Sequence, residues 1–329
     1  MGWKGTIRSI NTANRRMERY SRQLEKEQRA MEALEAVQAY EAYLERIISV
    51  HKECSPLVDW SSIAQAKRPT SPVRDNSNET KANARLENYK PGFFAKFFGQ
   101  VEKKLEQLRT DIEQGRQNDE ILYQDALSKY EKKLEEWETN SGFAKRILEG
   151  DLQAYTDAWS NSDRLTGIAE LGTSASIETL SATETKITLS VNTKEVIPEE
   201  QYKYLKSGKL SIKPMPKKAY YELYQDHVCS AVIRIAREAF NFLPLEFVIV
   251  TATGSLLNDS TGHFEELPIL SVAFPRESFT NINFDRIDCS NCVENFAHRM
   301  DFKKTAGFKP IQPYDLEEFE RNSDTRKAS

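Results

Sequence analysis

From about Ile7 to His51 the chain carries neither proline nor glycine. Its apolar residues recur there in steps of three and four: Met17, Tyr20, Leu24, then Met31, Leu34, Val37, Tyr40, Leu44 and Ile47. A period near 3.6 places them in one stripe on a long helix, with Arg and Glu over the remainder, and predicts a first element over residues 1–54. The stretch CSPLVDWSSIAQAKRPTSPVRDNSNET is rich in Pro, Ser and Asn, so residues 55–78 read as a linker with one short turn near Trp60.

A second long helix begins near Glu79, is interrupted at KPG (90–92) and resumes. Val101, Leu105, Leu108 and Ile112 step 4-3-4, and Tyr123, Leu127, Tyr130, Leu134 and Trp137 repeat a similar stepping. The gap of eleven between Ile112 and Tyr123 is a heptad plus four, a stutter that Gly115 weakens into a candidate bend. TNSG (139–142) is expected to end this helix, and a shorter one runs from Phe143 to Trp159, closing a 79–160 region.

Beyond that the period changes to two. KITLSVN (186–192) and KLSIKPMP (209–216) read as strands, residues 217–243 as a strong helix, and EFVIVTATG (246–254) and ELPILSVAFP (266–275) as β-branched strands joined by a polar turn. A helix over 290–300 and an extended piece at FKPIQP complete a domain over 172–314, followed by a polar tail, 315–329. The expected class is α+β: a coiled-coil-like helical hairpin at the amino end, then a compact mixed-sheet α/β domain. The last six elements are also compatible with a βαββαβ order.

Composition narrows the functional classes. A net charge of −4 with 29% charged residues advertises no whole-chain field for nucleic acid, although eight Lys/Arg against three Glu fall in the first thirty residues. Four cysteines are too few for a disulfide scaffold at this length, and no apolar run is long enough to span a bilayer, so a cytoplasmic setting is expected. MGWKGT matches a loose acylation pattern that short sequences meet by chance. Phosphate loops, dinucleotide fingerprints, H-E-x-x-H and G-x-S-x-G are all missing, which argues against those enzyme classes.

Five local stretches carry the remaining chemistry. In DCSNCVENFAHRM (288–300), a helical wheel puts Cys292, Val293, Phe296 and Met300 on the side of Cys289 and His298 opposite. The pattern therefore offers two zinc ligands at most, and the cysteines read as core residues. HVC (227–229) reads as a helix face with a buried cysteine. The turn NDSTGHFEE (258–266) gathers Asp259, His263, Glu265 and Glu266, as a two-metal nuclease hairpin does, but lacks the following lysine and has the composition of any polar hairpin loop. In KPGFFAKFFGQ, Phe93, Phe94, Phe97 and Phe98 share one helical stripe suited to core or partner packing, or to a lipid surface. Finally, Arg15, Arg16, Arg19 and Arg22 form a basic face able to track phosphates or to pair with acidic helix residues. The sequence therefore predicts a structural or adaptor protein whose long helices meet a protein partner or a second copy. The alternatives are nucleic-acid binding through the first helix and a metal-dependent nuclease or hydrolase at 259–266; no cofactor or resident metal is expected.

Overall fold

The computed structural model describes residues 3–92, 100–164, 173–191, 196–258 and 260–315. The fold is α+β, with two long helices and a mixed six-stranded sheet. It divides into two compact units. One holds the described residues up to Val58 and from Gly150 onward, the other Asp59–Glu149.

In the second unit, α4 (Gln100–Leu148) packs against two short helices, α2 (Trp60–Ala64) and α3 (Ser77–Glu87). The residues that break its apolar stepping form the seat of α3. A Cβ on Gly115 would lie 3.0 Å from the Asn78 carbonyl group and the Glu79 nitrogen, so glycine admits the α3 backbone there. One turn on, Asp119 accepts from the backbone N–H groups of Asn78 (3.2 Å) and Glu79 (2.9 Å) and from Asn78 Nδ2 (2.7 Å). A carboxylate on one helix thus caps the exposed donors at the start of another. The helix does not bend into a new element at Gly115, and it runs on through Thr139–Gly142, where sequence alone predicts an end. It stops before Gly150, whose φ of +77° suits a residue without a Cβ.

The other unit is built on the sheet, in the order β1 (Thr173–Thr179), β2 (Glu184–Val191), β5 (Phe247–Leu257), β6 (Phe264–Pro275), β7 (Ala297–Lys303), β8 (Gly307–Lys309). Only β2 and β5 pair in parallel; every other neighbouring pair is antiparallel. The crossover from β2 to β5 contains a separate hairpin, β3 (Glu200–Tyr204) with β4 (Leu210–Pro214), and then α6 (Lys217–Phe242). β2 alternates in burial, whereas the first six residues of β5 are continuously buried, as expected of a strand covered on both faces. Val228, Ala231, Val232, Ile235, Ala236 and Ala239 of α6 supply much of the core.

The carboxyl-terminal part of α1 (Trp3–Ile48) belongs to this unit. Tyr40 stacks on Tyr202 with ring centroids 4.9 Å apart, Tyr43 Oη donates to the Val196 carbonyl, and Ile47 is fully buried. α5 (Leu152–Ser160) packs beside β1, with Asp151 capping its amino end. The helix expected over 290–300 is replaced by α7 (Cys289–Val293) followed by β7. Ala297–Met300 pair with Leu270–Ala273, so ladder bonds to β6 outweigh the local helical spacing. The pattern at β1 and β3 was too polar to read as strand. Among the described residues no helix is long and apolar enough to cross a membrane.

Candidate functional site

The first candidate surface is the amino-terminal part of α1. Met17, Tyr20, Leu24 and Met31 are 72%, 66%, 47% and 63% exposed, while Val37 and Ile47 on the same helix are 6% and 0% exposed. The apolar stripe is therefore covered at its carboxyl-terminal end and bare over its first turns. Arg15, Arg16, Arg19 and Arg22 are exposed beside it. From Arg15 to Glu32 six basic residues face four acidic ones, so the bare section is weakly positive. Phe93, Phe94, Phe97 and Phe98 lie outside the described residues.

The acidic hairpin is placed as expected, at the tip between β5 and β6, and there Glu265 is engaged in the turn. Asn258 N–H and C=O bond to the His263 carbonyl and the Gly262 N–H, and Gly262 adopts a φ of +72°. Glu265 accepts from Asn258 Nδ2 (2.8 Å) and Thr261 Oγ1 (3.2 Å). His263 and Glu266 are exposed, and Asp259 lies outside the described residues. Glu265 and Glu266 are consecutive on a strand, so their side chains leave opposite faces of the ribbon. The tip brings Glu265 to its turn partners, and not to Glu266.

The cysteine stretch joins a buried cluster instead. Cys289, Cys292 and Cys229 are buried free thiols. Burial pushes Cys289 up to about 12; the Ser230 hydroxyl acts against this shift, and Cys292 with the carboxylates of Asp226 and Asp288 adds to it. Burial likewise raises Cys292 and Cys229. The Cys289 sulfur lies 3.0 Å from His51 Nδ1, which is also 2.9 Å from Ser230 Oγ. Burial, then Lys52, lowers the pKa of His51, with Arg237 acting the same way and the backbone carbonyls of Phe284 and Ile48 opposing. The result is a neutral thiol beside a neutral imidazole, a poor nucleophile by comparison with a thiolate. A cavity of about 170 Å³ beside them is lined by His51, Asp226, Asp288 and Cys289, among others. Burial, followed by the Asp288 charge, raises Asp226 to about 6. Among the described residues no three His, Cys, Asp or Glu side chains are arranged to hold a metal ion. His298 sits on β7, its Nδ1 3.0 Å from the Phe296 carbonyl.

His51 and Ser230 belong to a longer polar seam that the apolar reading of residues 217–243 passed over. His227, Ser230, Arg234, Glu238 and Asn241 recur at helical spacing along α6 and grip the segment that follows α1. His227 Nδ1–H donates to the Ile47 carbonyl (2.7 Å), the His51 N–H to Ser230 Oγ (3.0 Å), and Arg237 to the His51 carbonyl. Glu238, fully buried, accepts from the Ser55 N–H (2.9 Å) and hydroxyl (3.1 Å) and ion-pairs with Arg234 (2.9 Å) and Arg164 (3.0 Å). Asn241 then bonds the Ser55 carbonyl through its side chain and the Val58 N–H through its backbone carbonyl. The helical spacing of these polar residues was visible in the sequence; the segment they hold was not. The grip holds the carboxyl end of α1 and the segment after it against α6. The chain matches no protein-family model, no curated protein and no solved structure.

Proposed function

We propose that this chain is an adaptor that presents the amino-terminal turns of α1 to a partner helix. The observation that carries the reading is the bare stripe of Met17, Tyr20, Leu24 and Met31, continuous in sequence with positions the sheet unit buries. Apolar residues recurring along one helix face are the usual means of pairing helices, and leaving several exposed costs solubility without a partner. The weak positive balance of this section favours a partner helix with acidic flanks, while the polar seam of α6 anchors the helix against displacement.

The test places a photo-crosslinking residue at Leu24 in the full chain, expressed in its native cells, beside the same chain carrying Met17→Glu and Met31→Glu. Light scattering on the purified chain is run in parallel. The reading expects one dominant crosslinked protein, either another chain or a second copy of this one, that disappears in the double variant while the melting temperature is kept. A monomer without a stripe-dependent crosslink would reject it. Salt-dependent retention on duplex DNA that is lost on changing Arg15, Arg16, Arg19 and Arg22 to Gln would move the function to nucleic acid instead.

A further inference from the structure

A cleft of about 760 Å³ opens between the first turns of α6, the β5–β6 ribbon and β8. That volume lies within the range of roughly 300–1,000 Å³ typical of small-molecule sites. We propose that it binds a planar aromatic anion, held between tyrosine rings with its charge toward Lys309.

The rings are set before any ligand arrives. Tyr220 and Tyr221 pack edge to face with centroids 5.5 Å apart, and Tyr224 packs the same way against Phe308 at 4.9 Å. Two glycines make room for them. A Cβ on Gly307, which also has a φ of +80°, would meet the Tyr221 ring at 2.7 Å; one on Gly254 would meet Tyr224 Oη at 2.7 Å and Ile269 Cδ1 at 3.0 Å. Both tyrosines therefore press onto the strand backbone and cannot turn freely. Pre-positioned aromatic faces are favourable platforms for a flat ring because little side-chain freedom remains to be lost.

The polar groups select an anion. Lys309 is the one charged side chain among the described residues lining the cleft, and it is exposed at the rim. Burial, then Glu199 and Tyr221, raises the Tyr220 phenol above its usual value, so it is a neutral hydrogen-bond donor. The nearby Glu222 carboxylate is taken up by Lys304 at 2.9 Å. α6 also starts with Lys217 and Lys218 and has no acidic residue in its first turn, which offsets the Glu199 carboxylate beside Tyr220. Leu256 and Leu267, on the face of the ribbon that carries Gly254, supply the apolar floor.

The experiment is a fluorescence titration of the full chain with 8-anilinonaphthalene-1-sulfonate and with the neutral N-phenyl-1-naphthylamine. Expected is saturable binding of the sulfonate at one site per chain, with weaker binding of the neutral amine. Lys309→Glu, at an exposed position, should weaken the sulfonate by about five- to tenfold, the effect of reversing one partly screened charge. Leu256→Trp should fill the cleft and abolish the signal while the melting temperature holds; if that variant unfolds, Lys309→Glu decides alone. No saturable binding, equal affinity for the two dyes, an unchanged affinity in Lys309→Glu, or undiminished binding in folded Leu256→Trp would each overturn the proposal. The bare stripe of α1 is outside this cleft, so dye bound there would persist in both variants and count against it.

Discussion

The β5–β6 tip and the α6 seam hold similar residue types in opposite circumstances. At the tip, His263, Glu265 and Glu266 are exposed or half-buried, and Glu265 uses its Oε1 on its own turn. On α6, His227, Ser230 and Glu238 are fully buried and reach backbone groups some 180 residues earlier in the chain. The tip has the composition of a reactive site, and its Glu265 bonds within its own turn. The seam has the composition of an ordinary amphipathic helix and carries polar interactions that span about 180 positions of the chain. A polar side chain in water exchanges one hydrogen bond for another, while one in the interior must be matched, so burial and not residue type separates the two.

The contrast is broken most severely at Glu238. Glu238→Ala leaves the buried guanidinium groups of Arg164 and Arg234 without their carboxylate and removes the one oxygen that accepts from both the Ser55 N–H and its hydroxyl. Removing one member of a buried ion network costs about 3–5 kcal/mol. Urea denaturation should show a loss of that size; a loss below about 1 kcal/mol would place Glu238 with the tip residues in energetic terms.

Acid sharpens the comparison. Burial lowers the pKa of His51 and His227, the latter partly offset by the Ile47 carbonyl, so the folded chain holds both neutral where the unfolded chain takes up protons. Their stabilisation is complete above the unfolded value of about 6.5 and is lost as pH falls below it. Asp226, raised to about 6, works in the opposite sense: the folded carboxyl takes a proton between about 6 and the unfolded value near 3.9, favouring the folded state as pH falls through that window. Two histidines less one aspartate leave at most one excess proton on the unfolded chain near pH 5. Unfolding free energy should then fall by up to about 1.4 kcal/mol per pH unit. Asp226→Asn should steepen the loss toward twice that slope. An acid profile insensitive to Asp226→Asn would show that these groups do not set it.

At the tip, Glu265→Ala should cost less than about 1 kcal/mol, the loss of two partly solvated turn hydrogen bonds. The same variant offers the sharpest challenge to treating the tip as a loop. Mn²⁺-dependent cleavage of a DNA duplex, present in the natural chain and absent from both Glu265→Ala and Asp259→Ala, would make the hairpin a catalytic site.

Much of the architecture was legible in the chain because periodicity is a local property. The stripe from Met17 to Ile47 defined α1, the β-branched runs defined β5 and β6, and the apolar spacing of Tyr224, Val228, Ala231 and Ile235 defined α6 within a residue of its observed ends. Tertiary structure decided the rest. It paired Ala297–Met300 with β6 where local spacing favoured helix, and turned Gly115 and Asp119 from seam breakers into the seat and cap of α3. It also left half of the α1 stripe bare and brought His51 to Ser230 and Cys289 across 179 and 238 positions. A hydrophobic pattern states which face of an element must be covered; what covers it, and which buried polar groups find partners, depends on segments too distant in sequence for any local pattern to name.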